Sequence, residues 1–155
     1  SYAADMKSGD TPRADIPNWR NRAIATAEPV SDKYSVIRSD ELLGDTVRSL
    51  QDVALGTVDD LVMSPKTGKI AYLVIGRGGI FGIDEKFIPV PWQDFKITQN
   101  VNLLVLDTTK ATLDGAPQVS RDKFTVPGRF NQESKKVNAF WKLHLSSERV
   151  TPPKG

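Results

Sequence analysis

The sequence predicts an all-β fold: a small antiparallel β-barrel with short helices and extended N- and C-terminal arms. Strand-like runs recur at Thr46–Arg48, Leu55–Met63, Ile70–Gly76, Phe87–Trp92, Phe95–Thr98 and Val101–Leu106. Turn-forming stretches separate them. SPKTGK, between Met63 and Ile70, places Pro65 and Gly68 for a tight reversal, so its flanking strands are expected to pair as an antiparallel hairpin. Gln99–Asn100 marks a second reversal. Helical signals are scarce by comparison: DELLG (Asp40–Gly44) and TTKATLDG (Thr108–Gly115), each closed by a glycine. Many short strands on local turns with little helix indicate a small barrel or sandwich.

At 155 residues the chain has room for one domain with a real core but is tight for two. We divide it into an N-terminal arm (residues 1–33), a barrel domain (34–118) and a basic C-terminal arm (119–155). Pro12, Pro17 and Pro29 punctuate the first arm, where NWRNRAIATAE (Asn18–Glu28) is expected to form at most a short helix. The overall charge of +2 hides an asymmetry: the barrel segment carries eight basic and eleven acidic side chains, the C-terminal arm eight basic and three acidic. A basic arm on a mildly acidic body is suited to an acidic surface, whether partner protein, anionic lipid or RNA. The chain has no cysteine, which excludes disulfides, thiolate metal sites and cysteine nucleophiles. No apolar run approaches the ~20 residues of a membrane span. The start at Ser1 leaves open a removed export signal or anchor upstream.

Two strands are apolar on both faces. In IAYLVIG, Ile70, Tyr72 and Val74 share one face, and Ala71, Leu73 and Ile75 the other. VNLLVL repeats this, with Val101, Leu103 and Val105 set against Leu104 and Leu106. A small barrel needs one apolar face, so the surplus must be covered by the flanking arms or by another chain.

The stretch GRGGIFGIDEKFIPVPW (Gly76–Trp92) resembles a phosphate-cradling loop at first sight. Such a loop works by presenting backbone N–H groups at the start of a following helix. Here Pro89 and Pro91 alternate with Ile88, Val90 and Trp92 in strand register, which is incompatible with that helix. The spacing also fails, because Gly82 falls one residue late for GxGxxG. The glycines are expected to supply positive φ angles in a connection between strands, and the prolines to mark a strand edge.

Together these pieces resemble the PRC-barrel domain. The residues that carry the likeness are Leu43-Gly44, the strand Gly56-Thr57-Val58-Asp59-Asp60-Leu61 and the turn Ser64-Pro65-Lys66-Thr67-Gly68. They continue with the loop Gly78-Gly79-Ile80-Phe81-Gly82-Ile83-Asp84-Glu85-Lys86 and the strand Val90-Pro91-Trp92. The likeness covers about residues 38–117 and includes Ala116-Pro117. Ser64 stands where the family usually has aspartate, and Asp84 where it usually has glycine. The resemblance implies a six-stranded antiparallel β-barrel and a role in protein–protein docking. It supplies no catalytic residue. The same domain occurs in the photosynthetic reaction-centre H subunit and in the ribosome-maturation factor RimM. The latter carries an RNA-contacting N-terminal domain that residues 1–33 are too short to provide.

The candidate chemistry is sparse. Adjacent carboxylates Asp59 and Asp60 should point to opposite faces of a strand, and would converge on a metal only across a bulge. Asp84, Glu85 and Lys86 form a charge cluster, expected to solvate the loop and hold a local ion pair. His144, the single histidine, has no nucleophile motif beside it. No catalytic, cofactor or metal site is therefore assigned.

In the C-terminal arm, FNQESKKVNAFWKLHL (Phe130–Leu145) places Val137, Phe140 and Trp141 on one helical stripe, with Leu143 and Leu145 beyond and Lys135, Lys136 and Lys142 mostly off it. Pro127-Gly128 before it is expected to turn. Such a helix would dock on the barrel's surplus face, on a partner groove or on an anionic membrane surface, and docking on protein is the favoured reading.

The expectation is thus a non-enzymatic docking or stabilising subunit of a larger complex, photosynthetic or otherwise membrane-associated, peripheral to the membrane on its cytoplasmic or periplasmic face. Its partner-binding residues would be Trp19, Ile80, Phe81, Asp84, Glu85, Lys86, Lys135, Lys136, Phe140 and Trp141. Two rival classes are a free-standing exported or stress-related barrel whose arms complete its own fold, and an RNA- or ribosome-associated factor. The first predicts a stable monomer, the second steeply salt-dependent RNA binding.

Overall fold

The computed structural model describes residues 15–30, 37–78, 84–98, 103–120 and 129–145. Among these residues the chain forms seven strands: β1 (Glu28–Pro29), β2 (Thr46–Arg48), β3 (Ala54–Met63), β4 (Ile70–Arg77), β5 (Lys86–Pro91), β6 (Lys96–Ile97) and β7 (Leu104–Val105). They make one curled sheet in the order β1-β6-β7-β2-β3-β4-β5. Three helices accompany it: α1 (Asp15–Ala25), α2 (Lys110–Gly115) and α3 (Arg129–His144).

The first three predicted strands fall where the sequence puts them; Trp92 instead leaves β5 for a 3₁₀ turn (Trp92–Asp94), and of the last two runs only Lys96–Ile97 and Leu104–Val105 form strand among the described residues. The SPKTGK turn joins β3 to β4 as an antiparallel hairpin, with Ser64 N–H donating to the Lys69 carbonyl at 2.9 Å and Gly68 N–H to the Ser64 carbonyl at 2.7 Å. Ser64 Oγ also accepts from Thr67 N–H, so the serine supports the turn where aspartate was usual. Asp84, standing where glycine was usual, adopts φ +65°, the left-handed conformation that explains the usual glycine. DELLG becomes a 3₁₀ turn at Ser39–Glu41, closing on Gly44 at φ +84°. α2 starts at Lys110 because Thr109 Oγ1 accepts from the Thr112 N–H, satisfying an orphan amide of the first turn.

Three expectations need correction. The sheet is mixed: β2 pairs parallel to β7, with Val47 opposite Leu104, because the chain returns to β2 only after running through β3 to β6. Seven strands replace six, since Glu28 and Pro29 extend the sheet opposite Ile97 and Lys96. Nor are the described parts of the arms mainly extended. α1 runs 11 residues and accepts Pro17 in its first turn, where no amide is required. α3 runs 16 residues. The Gln99–Asn100 reversal, Val101, Pro12 and the Pro127-Gly128 turn lie outside the described residues.

The surplus apolar faces are covered by the flanking helices. Val137, Trp141 and Leu145 of α3 join Leu73, Ile75, Ile88 and Val90 in the main core. The Tyr72 hydroxyl donates to Asn138 Oδ1 at 2.8 Å, tying the Tyr72 face of β4 to the same helix. Ile24 of α1 packs with Leu103 and Val105 in a second, smaller cluster.

Candidate functional site

β5 ends the sheet, as its prolines require. Pro89 and Pro91 have no N–H to offer a further strand, and α3 lies along this edge. Where the β4–β5 end meets the flanking segments, a cleft of about 630 Å³ opens, lined by Lys69, Ile70, Tyr72, Pro91, Trp92 and Gln93, with Val30 and Asn138 contributed from either flank. Barrel and both arms therefore build it jointly. Trp92 is half-buried and packs near Phe95, with ring centroids 6.3 Å apart. Burial pushes the Tyr72 phenol above its ordinary pKa, with hydrogen bonds to Asn138 and Ser134 pulling the other way. The hydroxyl stays a donor at neutral pH. A cleft with an aromatic and proline wall and a lysine at its rim is suited to a peptide segment.

A second cleft, of about 420 Å³, lies beside the glycine connection and includes Gly56, Gly76, Arg77, Glu85 and Lys110 in its lining. Arg77 crosses to α2, donating from Nε to Asp114 Oδ1 at 2.9 Å and from Nη2 to Asp114 Oδ2 at 3.4 Å, while its Nη1 donates to the Leu55 carbonyl at 2.8 Å. Lys86 Nζ also faces Asp114, at 3.9 Å. The Arg77 hydrogen bond, and then the charges of Arg77, Lys86 and Lys110, hold the Asp114 carboxyl below the usual range. The Asp84–Glu85–Lys86 cluster is thus not closed on itself: its lysine turns to a carboxylate from another element.

The predicted partner-binding residues fall in four places. Ile80 and Phe81 lie outside the described residues. Asp84, Glu85 and Lys86 lead into β5. Trp19 is half-buried against the α1 cluster. Lys135 and Lys136 are exposed on α3, whereas Trp141 is wholly buried, its Nε1 donating to the Pro89 carbonyl at 3.0 Å. That burial takes Trp141 out of the set of surface anchors. Phe140 is half-buried, edge-on to Trp141 and stacked on His144 with centroids 4.0 Å apart. The bulge that would bring Asp59 and Asp60 together does occur, between Val58 and Asp60. Even so, no group of three or more metal-ligating side chains forms among the described residues. No helix among them is long and apolar enough to cross a membrane.

The cleft residues Lys69, Tyr72, Trp92, Gln93 and Asn138 were not singled out from the sequence. Their one signal was Trp92, the second of the chain's three tryptophans, which reads locally as a strand residue. The Arg77–Asp114 pair left none, being separated by 37 positions.

A curled, mixed sheet of seven short strands with flanking helices defines a small, partly closed β-barrel-like domain. The PRC-barrel domain model matches residues 35–113, and the chain belongs to that family. PRC-barrel domains are generally non-catalytic and associate with protein complexes. No curated protein matches the chain.

Proposed function

We propose that the chain is a non-enzymatic docking or stabilising subunit of a larger assembly, and that the cleft around Trp92 receives a segment of the partner. The observation that carries this is the half-buried Trp92 in a concave surface built jointly by barrel and arms. Tryptophan is enriched among the few residues that carry most of the binding energy at protein interfaces, and a half-buried one becomes fully desolvated when a partner covers it. The family's member in the photosynthetic reaction centre points to a photosynthetic or other membrane-associated complex as the assembly, with this chain peripheral to the membrane.

The test compares the native mass of the chain in gently solubilised extract of its source with that of the purified chain. A variant, Trp92→Ala with Lys69→Glu, is run beside it. Truncating the C-terminal arm would confound the result, because α3 supplies Trp141 to the core. Co-migration with a large complex, lost in the variant, supports the reading. A peak near 17.1 kDa in every sample would sink it.

A second reading has its own observation. Trp141 and Ile24 are buried in the chain's own clusters, as they would be in a free-standing barrel completed by its arms. The lone peak is its expected outcome.

A further inference from the structure

α3 has two opposite faces with opposite chemistry. At 100° per residue, Val137, Trp141 and Leu145 point into the core. Gln132, Lys135, Lys136, Ala139, Lys142 and Leu143 form the stripe on the far side, and all six are exposed. Leu143 is 79 % exposed, the most of any large apolar side chain described. Among the described residues none of the three lysines meets a carboxylate. The helix is held rigidly behind this stripe by the Trp141–Pro89 and Tyr72–Asn138 hydrogen bonds.

We infer that this outer face of α3 is a peripheral contact for an anionic lipid surface, with the lysines at headgroup level and Leu143 entering the acyl boundary. Charge decides the sign of the partner: the stripe is purely basic, whereas the barrel segment 34–118 carries a net −3, so an anionic surface is better met on the α3 side than on the barrel. Size decides its kind. From Gln132 to Leu143 the stripe runs about 17 Å and is about 10 Å wide, roughly 170 Å². A stable protein interface needs about 800 Å² per partner. A bilayer has no such threshold, because its surface potential acts on every lysine within about a Debye length and a single leucine can insert without a matching socket. Three lysines near an anionic leaflet, at roughly fivefold in partitioning each, give about a hundredfold preference over neutral lipid. The lipid contact goes beyond the docking reading and uses a different surface, so either can fail alone.

The experiment is co-sedimentation of the full chain with vesicles of phosphatidylcholine, with or without a third of phosphatidylglycerol. Expected is binding to the anionic vesicles alone, abolished at about 0.5 M salt. Leu143→Ser should weaken it at least about tenfold. Reversal of Lys135, Lys136 and Lys142 to glutamate should abolish it, while unchanged circular dichroism shows that these exposed substitutions leave the fold intact. Equal binding to neutral vesicles would overturn the inference, as would binding that survives charge reversal. Absence of binding to any vesicle, with retention on immobilised polyglutamate, would overturn it in favour of an acidic protein surface.

Discussion

The indole Nε1 of Trp141 donates to the carbonyl oxygen of Pro89 at 3.0 Å, joining residues 52 positions apart. Two features of the sequence meet in this bond. Proline at the sheet edge removes a donor but leaves a carbonyl, and a buried indole needs an acceptor. Each solves the other's problem, and together they close the open edge of β5. Trp141→Phe should therefore cost about 1–2 kcal/mol, from the lost hydrogen bond and the orphaned carbonyl. Trp141→Ala should cost about 3–5 kcal/mol, from the cavity. Urea unfolding of both variants measures these losses. An undiminished midpoint in Trp141→Ala would show that α3 is not part of the cooperative core.

Asp52 holds a left-handed backbone, φ +64°, while its carboxylate receives Arg20 Nε at 2.9 Å and Arg48 Nη1 at 3.0 Å. Arg20 belongs to α1 and Arg48 to β2, so one aspartate latches the N-terminal helix to the barrel. Asparagine tolerates the same φ but carries no charge. In Asp52→Asn, hydrogen exchange of α1 amides should quicken about tenfold, with those of Leu73 and Ile75 unchanged. Uniform acceleration throughout would mean that α1 does not open on its own.

Asp45 predicts a pH dependence. Burial raises its pKa from 3.8 to about 6, against a weaker opposing hydrogen bond from the Thr46 backbone, and Oδ2 is buried without a partner among the described residues. The folded state thus holds this proton more tightly than the unfolded chain. The stabilisation from protonating Asp45 is fully present below about pH 4 and is lost as pH rises through about 6. Allowing for solvent screening of a half-exposed carboxylate, the effect is about 1 kcal/mol. Melting temperatures between pH 4 and 7 should show this fall in the native chain, and Asp45→Asn should flatten it. A parallel slope in the variant would assign the dependence elsewhere.

Gly56 is required by contact. A Cβ there would lie 2.6 Å from the Gly76 carbonyl oxygen and 2.6 Å from Ile75 Cγ2. Backbone cannot step aside as a flexible side chain can, so Gly56→Ala must pry β3 from β4. Gly76→Ala would meet chiefly the far end of the Glu85 side chain, which can swing away. Thermal melts should show Gly56→Ala losing about 3 kcal/mol or more and Gly76→Ala distinctly less. The reverse order would place the tight contact elsewhere.

Local pattern made much of the barrel legible. The apolar run of Ile70–Gly76, the SPKTGK turn and the Val90-Pro91 edge mark their own strand positions, because alternation and turn chemistry are written within a few residues. The surplus face of β4 also announced that a cover was needed. What covers it could not be read locally. The stripe of Val137 and Trp141 favours docking on protein over a membrane, but in one dimension it does not say whether that protein is the chain's own barrel or a partner groove. Only the tertiary structure sends it to Pro89 and leaves the lysines facing outward. The parallel β2–β7 pairing, the strand at Glu28–Pro29, the Asp52 latch and the Arg77–Asp114 bridge are of the same kind. Each joins segments far apart in the chain, and choosing among such partners depends on the packing of the whole domain, which no local periodicity records.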